Sequence, residues 1–429
     1  MLYDQAQLAA TYLQAWQVNR EPLFEQTARG ILDYVLRDMT SPDGAFFSAE
    51  DADSLIPGAT EKGEGAFYVW TKAEIDAALG ADAPLFNQVF GVVPEGNSPA
   101  GSDPHGELKG LNTLIRRLTG QDAAAPFQLT ATETSERLAR CRAILLERRS
   151  ARPRPHLDDK ILASWNGLMI SAFARAAMLL GDDTYLQAAL RAARFIRRSM
   201  YPDGRLLRSY RQGSGPQGFA DDYAAMAAAA LALYEATEDI AWLQWSLELL
   251  ATLDALFLDP LNGGYFSARA EDPSILVRMK EDHDGAEPAA SSLAASTALR
   301  LALMLDDAPL QARAMETIRA FAPQLRANPI AMPAMLEAFL FSITPPSQII
   351  IAGPTSDAAP LARVARALAA PETVLLYADA GPAQSWLAER LPFMRTATSV
   401  DGKPAAYVCE NFTCRLPITD PVELRNTLR

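Results

Sequence analysis

Apolar residues recur at helical spacing through most of the chain. In the stretch ILASWNGLMISAFARAAMLL, which starts at Ile161, Trp165 and Leu168 continue one apolar stripe, while Leu162 and Met169 belong to a second. An apolar band of this width is typical of a helix that is covered on more than one side. The same spacing predicts helices at about 2–18, 22–39, 133–149, 161–180, 184–200, 220–236, 240–257, 288–305, 309–326 and 357–369.

A weak internal repeat organises these helices. A helix ends, an Asp- and Gly-rich turn such as YPDGRLLRSYR follows, and the next helix begins with acidic residues. Asp159 and Asp222 are 63 residues apart, and Asp222 and Glu287 are 65 apart. This period accommodates one helical hairpin. Such hairpins close most readily into an (α/α)6 toroid with alternating inner and outer helices, although an open solenoid fits the same periodicity.

Two segments depart from the helical pattern. Residues at about 55–120 look like an insertion, with a loop rich in Gly, Pro and Asp. After Thr344-Pro345-Pro346, the short β runs SQIIIAG, TVLLYAD and AAYVCENFTC appear around one helix. We therefore expect a mainly α protein with a barrel domain at 1–342, which carries the insertion, and a small α/β region at 343–429.

Composition narrows the classes of function. The 429-residue chain has a formal net charge of −13, which disfavours nucleic acid as a partner because phosphate binding needs a basic surface. No apolar run approaches the roughly 18 residues of a membrane span, and the first residues lack the pattern of a signal peptide. We expect a cytoplasmic protein that binds neither nucleic acid nor a membrane.

Cysteine and histidine are scarce. Cys409 and Cys414 form a C-x4-C pair, but a zinc site needs about four ligands and no second pair exists. We expect two ordinary cysteines in a small core, with a redox-active pair as the alternative, and we expect no metal and no cofactor. With only His105, His156 and His283, chemistry that needs several histidines is disfavoured.

The acidic helix starts indicate a candidate site. Inner helices of a toroid begin at the same end, so their acidic first turns would line one funnel. We expect Asp159 or Asp222 to act as general base, with His283 or a second carboxylate as the acid. The expected substrate contacts are Asp51, Asp53, Asp158, Trp165, Asn166, Asp221, Tyr223, Tyr265 and Glu287.

A pocket of carboxylates, carboxamides and aromatic rings suits a sugar, because aromatic faces stack on pyranose rings while carboxylates accept hydroxyl protons. The competing interpretation is structural. Aspartate at a helix start is a favoured N-cap that complements the helix dipole, and tryptophan is more often a core residue.

Several phrases resemble one family: MLYDQAQLA, DDKILASWNGLM, DGAEPAASS and AYVCENFTC. They are similar, in order along nearly the whole chain, to the helical-barrel region of thioredoxin-domain-containing proteins related to spermatogenesis-associated protein. The resemblance implies an (α/α)6 toroid like those of N-acylglucosamine 2-epimerases and six-hairpin glycosidases. It says much less about activity, because one fold hosts many functions.

Two expectations about function follow from the resemblance. The first is a carbohydrate-active or carbohydrate-binding protein, as a glycoside hydrolase or a sugar isomerase or epimerase. The second is a non-catalytic binding or scaffold module associated with a thioredoxin-like partner, since family members carry such a domain ahead of the MLYDQ motif and this sequence begins at that motif. The histidine pair of the epimerases has no match here, and Ser291 and Ser292 occupy a segment where the family tends to have an asparagine.

Overall fold

The computed structural model describes residues 1–56, 60–99, 101, 106–273 and 275–428. In chain order the α-helices are α1 (Leu2–Asn19), α2 (Pro22–Asp38), α3 (Lys72–Leu79), α4 (Ala83–Phe90), α5 (Gly120–Ala124), α6 (Ala131–Ser150), α7 (Ala163–Leu180), α8 (Asp183–Ser199), α9 (Ala220–Thr237), α10 (Ile240–Phe257), α11 (Ala290–Leu305), α12 (Ala308–Ala320), α13 (Ala322–Ala327), α14 (Pro333–Ile343), α15 (Thr355–Leu368), α16 (Pro382–Ala388) and α17 (Pro421–Thr427). The strands are β1 (Ala49–Glu50), β2 (Asp53–Leu55), β3 (Lys62–Glu64), β4 (Leu157–Asp158), β5 (Ile161–Leu162), β6 (Ser209–Tyr210), β7 (Ser347–Ala352), β8 (Thr373–Ala378), β9 (Ala405–Glu410) and β10 (Thr413–Cys414).

The chain forms two compact units. The first consists of Met1–Ala49 with Asp159–Arg429, and the second of Glu50–Asp158. The second unit extends beyond the segment 55–120 because α6 contributes to its core, where Leu138 and Leu145 pack in one cluster with Ile75.

The first unit is built from helical hairpins. α1 packs on α2, α7 on α8, α9 on α10 and α11 on α12. α7 also contacts α1 and α9, and α11 contacts α9 and α14, so α1, α7, α9, α11 and α14 form an inner layer. All five inner helices border one cavity, which an open row of hairpins would not enclose. The fold is therefore mainly α and of the (α/α)6-toroid type, which confirms the predicted class.

Small residues let the inner helices approach closely. In α9, Ala224, Ala225 and Ala227 are buried in the run AAMAAAALA. Opposite them on α7, a Cβ added to Gly167 would lie 2.7 Å from the carbonyl carbon of Ala225. This distance is too short for real contacts, so the spacing between α7 and α9 depends on glycine at position 167.

The C-terminal α/β segment forms a four-stranded sheet in the order β10-β9-β7-β8, with β7 parallel to β8 and antiparallel to β9. It packs on the C-terminal ends of inner helices, where Tyr377 donates to the Glu235 carbonyl at 2.6 Å and Gln348 donates to the Leu303 carbonyl at 2.7 Å. A disulfide joins Cys409 to Cys414 across β9 and β10. The expectation of two ordinary cysteines is thus corrected.

Within the described residues, α10 is the one helix with the length and mean hydropathy to cross a membrane. Its side chains Leu243, Trp245 and Leu249 are buried in the core of the first unit. Because α10 packs on the inner helix α9, it is an outer helix of the toroid.

A matched pair of glycine substitutions tests the helix spacing. Gly167→Ala should lower the free energy of unfolding by about 2 kcal/mol or more, because the new methyl group overpacks against α9. Gly30→Ala in α2 meets nothing within 4 Å and should be neutral or stabilising, since alanine favours a helix over glycine by about 1 kcal/mol. Urea denaturation measures both, and equal effects would contradict the close α7–α9 contact.

Candidate functional site

The first turns of three inner helices meet at one end of the toroid. The indole Nε1 of Trp165 on α7 donates to Glu287 Oε1 at 2.7 Å, just before α11. The Trp165 ring also meets the Tyr3 ring of α1 edge to face, with centroids 4.8 Å apart. The side-chain amide of Gln7 donates to the Ala286 carbonyl at 2.7 Å. The predicted convergence of helix starts is therefore present for α1, α7 and α11.

An arginine that the sequence analysis did not single out joins α9 to this group. Arg208 Nη1 lies 2.8 Å from Asp221 Oδ2 and 3.2 Å from Asp222 Oδ2. Its guanidinium also lies over the Phe219 ring, 5.1 Å from the centroid. The two aspartates hold this guanidinium in its charged form despite its partial burial, raising its pKa further.

We call Asp221, Glu281 and Glu287, together with Trp165 and Arg208, the acidic rim. Burial raises the pKa of Glu287, and the Trp165 hydrogen bond opposes this effect, while Asp221 adds to it. Desolvation likewise raises the pKa of Glu281, again with a contribution from Asp221. Asp221 thus lies close enough to both glutamates to raise their pKa values.

The space between these carboxylates is small. A pocket of about 10 Å³ lies between Asp221, Glu281, Tyr265, Ser267 and Ser291. This volume holds about one water molecule. The space beside Asp221 and Glu281 is therefore much narrower than the funnel that was expected there.

Asp222 is fully buried and has a structural position. Its Oδ1 accepts from the Ser164 amide at 3.0 Å, and its Oδ2 accepts from the Phe219 amide at 2.9 Å and from Arg208. Burial raises its pKa, with Asp221 adding to the effect and Arg208 opposing it. Because both oxygens of this buried carboxylate accept hydrogen bonds from within the protein, we assign Asp222 to capping α9 and joining it to α7 instead of to the predicted role of general base.

Asn166 and Tyr223 also stabilise the backbone. The Asn166 amide accepts from the Phe46 amide and donates to the Phe46 and Leu162 carbonyls, each at 2.9 Å. The Tyr223 hydroxyl accepts from the Leu206 amide at 2.9 Å. Asn166 is fully buried and Tyr223 nearly so, which leaves neither side chain free to contact a substrate as predicted.

Three further residues that were predicted to belong to the site, Tyr265, Asp159 and His283, lie beside different groups. Tyr265 borders the small pocket, but its hydroxyl donates to Asp254 Oδ1 at 2.7 Å. Asp159 forms an ion pair with Arg211 at 2.8 Å. His283 is exposed, with Nδ1 3.4 Å from Asp282 Oδ1, and it acts electrostatically on Glu281. Among the described residues no hydrogen bond or ion pair joins it to Asp159 or Asp222, which it was expected to assist.

The neighbour of His283 has a clearer role. Asp284 accepts from the Ala289 and Ala334 amides, both at 2.8 Å, and so joins the starts of α11 and α14. In the sequence, Asp284 is one of the acidic residues that precede a helix. Its partner on α14, the Ala334 amide, lies 50 residues away, so the spacing of the acidic residues did not indicate this contact.

Asp51, Asp53 and Asp158 belong to the second unit. Asp51 Oδ1 accepts from the Asp53 amide at 3.3 Å, and its own amide donates to the His156 carbonyl at 2.8 Å. Asp53 pairs with Glu64 between β2 and β3, and Asp158 ends β4. A contribution of these residues to the substrate site stays a prediction, and His105 lies outside the described residues.

A larger opening lies deeper in the first unit, and we call it the central cavity. Its volume is about 360 Å³. Leu168 lines it one helical turn beyond Trp165, so it starts about 5 Å below the acidic rim. Its polar lining consists of Gln7, Ser171, Arg175, Glu235, Ser296, Thr297, Arg300, Glu337, Thr344 and Glu372.

The charged groups of the central cavity were missed by the sequence analysis. Arg300 Nη2 donates to Glu235 Oε1 at 2.9 Å, and its Nη1 donates to the Pro371 carbonyl at 2.8 Å. The available signal was Arg175, an arginine inside the apolar run ISAFARAAMLL of a helix covered on several sides. A charge in such a run needs a polar neighbour or a cavity.

Comparison with known proteins adds relatives along the whole chain. No family model matches. Spermatogenesis-associated protein 20 of Homo sapiens is 38% identical over 452 aligned positions, which cover 100% of this chain and 57% of the human protein. Uncharacterized protein B0495.5 of Caenorhabditis elegans is 32% identical, with 99% of this chain and 60% of that protein covered.

Solved structures show a more distant likeness. Cellobiose 2-epimerase from Spirochaeta thermophila is 9% identical, with a TM-score of 0.42 over 76% of this chain and 60% of its own. D-mannose isomerase is 12% identical, with a TM-score of 0.37 over 75% of each chain. The chain is thus similar throughout to proteins named spermatogenesis-associated protein 20, and it spans somewhat more than half of their length.

Proposed function

We propose that the toroid binds a sugar or sugar derivative at the acidic rim and, as an enzyme, acts on it as a hydrolase or as an isomerase or epimerase. The observation that carries this proposal is the meeting of Asp221, Glu281 and Glu287 with Trp165 and Arg208 directly above a cavity of about 360 Å³. Such a cavity lies in the size range of small-molecule sites.

The chemistry of the rim suits a polyhydroxy ligand. Each sugar hydroxyl both donates and accepts, so it can bond a carboxylate oxygen and a guanidinium N–H in turn. Trp165 and Tyr3 supply aromatic surface beside these groups for the C–H faces of a sugar ring. The rim therefore combines the two kinds of contact that a pyranose offers.

Two rim carboxylates lie in unlike surroundings, which is how one fold obtains an acid and a base. The pKa of Glu287 is raised by burial, so this carboxyl retains a proton to higher pH and suits the role of general acid. Asp221 is paired with Arg208 and suits the role of base. This assignment replaces Asp222 and His283.

Access to the cavity requires a local rearrangement. The rim pocket of about 10 Å³ is too small for a sugar, and the Trp165–Glu287 hydrogen bond lies about one turn above the central cavity. In this proposal the ligand separates Trp165 from Glu287, so that the indole stacks on the ring and the carboxyl contacts a hydroxyl.

The small rim pocket favours one second candidate. A toroid whose rim stays closed would serve as a non-catalytic binding or scaffold module, with a thioredoxin-like domain as its partner. The two candidates differ in whether neutral sugars bind.

Sugar binding should depend on the rim carboxylates. We expect at least one neutral hexose, N-acetylhexosamine or disaccharide to raise the melting temperature, because a ligand at 100 times its Kd stabilises a protein by about 2.7 kcal/mol. Glu287→Gln and Asp221→Asn should weaken that sugar at least about tenfold, the loss of one charged hydrogen bond. Isothermal titration calorimetry measures the change.

Glu316→Gln on the outer helix α12 is the matched control and should leave the affinity unchanged, because this glutamate is exposed. Absence of binding by every neutral sugar would favour the scaffold module. Equal affinities in all three variants would place the sugar elsewhere.

Asp222→Asn should show whether Asp222 caps α9 or takes part in catalysis. Asparagine replaces one of the two accepting oxygens with an NH2 group, so a hydrogen bond from Ser164, or those from Phe219 and Arg208, is lost and the free energy of unfolding should fall by about 2 kcal/mol or more. Sugar affinity should fall less than in Asp221→Asn, because Asp222 acts on the site only by holding Asp221 in place. Asp43→Asn in an exposed turn is the control and should alter stability by less than about 0.5 kcal/mol. Lost binding with unchanged stability would return Asp222 to the catalytic role.

Trp165→Phe should raise the pKa of Glu287. The indole N–H stabilises the charged carboxylate, so its removal favours the protonated form. Carboxyl ¹³C NMR measures the titration, with Trp165→Phe/Glu287→Gln identifying the resonance. If Glu287 is the acid, the alkaline limb of the pH–rate profile should move upward by the same amount. An unchanged or lower pKa would contradict the hydrogen bond as the cause.

A further inference from the structure

Arg175 is a partly buried cation that lines the central cavity. It lies in the middle of the inner helix α7 and lines the cavity. Nothing in the described part of the chain forms a hydrogen bond or an ion pair with its guanidinium. Burial lowers its pKa, and the nearby Arg300 adds to this effect.

The neighbouring Arg300 shows how hydrogen bonds satisfy a guanidinium in this cavity. Arg300 is bonded to Glu235 and to the carbonyls of Pro371 and Thr373. Glu235 and Glu337 act on Arg175 through the field alone. A guanidinium has five N–H donors in a fixed fork, so the cavity side of Arg175 offers most of this capacity to a ligand.

An unpaired buried charge is among the costliest arrangements in a protein interior. Arg175, which is partly buried and has no partner among the described residues, bears part of this cost, and an anionic group bound in the cavity would offset it. A guanidinium binds carboxylate and phosphate through two parallel hydrogen bonds, which makes it the side chain best matched to such a group.

The other residues that line the cavity restrict the size and charge of a ligand that could bind there. Leu168, Met178, Leu231 and Phe341 present apolar surface that suits a carbon skeleton, and the hydroxyls of Ser171, Ser296 and Thr297 add polar contacts. Three carboxylates, Glu235, Glu337 and Glu372, also border the cavity, so a ligand with one anionic group fits better than a polyanion. The volume of about 360 Å³ accommodates a small metabolite.

We propose that the central cavity binds a small organic molecule that carries one carboxylate or phosphate group, and that this group pairs with Arg175. This site is separate from the acidic rim, whose carboxylates take no part in it. It goes beyond the proposed sugar function, because a neutral sugar at the rim needs no contact with Arg175.

The test compares charged probes with uncharged counterparts of similar shape. Hexanoate is paired with 1-hexanol, while glucuronate and glucose 6-phosphate are both paired with glucose. Isothermal titration calorimetry on the full chain should detect at least one anion whose neutral counterpart does not bind. The carboxylate and phosphate arms show which group the cavity accepts.

Arg175→Met supplies the matched change in the protein. It should weaken the anion about 30-fold or more, the scale expected when one member of a buried charge pair is lost. Arg175→Lys, which keeps the charge without the fork, should bind with intermediate affinity.

Arg363→Gln on the exposed face of α15 is the control and should keep full affinity. Arg175→Gln repeats the binding test if the methionine variant does not fold. Failure of every anion to bind, or equal affinity in Arg175→Met and the unaltered chain, would overturn the proposal. Glu287→Gln should retain the anion, which separates this result from the rim.

Discussion

One buried carboxylate ties the first turns of two inner helices together, and the geometry of the candidate site depends on it. Asp222 accepts from Ser164 at the start of α7 and from Phe219 at the start of α9, and it shares Arg208 with Asp221. Glycine at 167 allows α7 and α9 to approach closely about one turn further along. The two helices are therefore held together both at their first turns and at this closer contact. Asp221 is thereby held toward Glu281 and Glu287.

The acidic residues at the helix starts divide into two roles that their spacing alone does not distinguish. Asp222 and Asp284 have their oxygens occupied by backbone amides and join neighbouring helices. Asp221 and Glu287 instead lie at the surface of the rim, each paired with one side chain. Helix capping and substrate chemistry are therefore not alternatives for the whole set, because adjacent residues carry one role each.

The sequence predicted the fold well because wide apolar stripes and a constant hairpin period are properties of the chain itself. It also predicted that helix starts such as those near Trp165 and Glu287 would converge, since inner helices begin at one end. It could not predict the burial of Asn166 or Asp222, which depends on partners 120 and 58 residues away. The role of Arg175 could not be predicted for a similar reason, because residues from five separate helices line the cavity that it borders.

The central claim is that a sugar occupies the acidic rim above the central cavity. A crystal structure of the chain with a bound neutral sugar tests it most directly. The account predicts ligand density in contact with Asp221 and Glu287, stacked on Trp165, with the 2.7 Å hydrogen bond between Trp165 and Glu287 broken. Density at another surface, with that hydrogen bond intact, would contradict it.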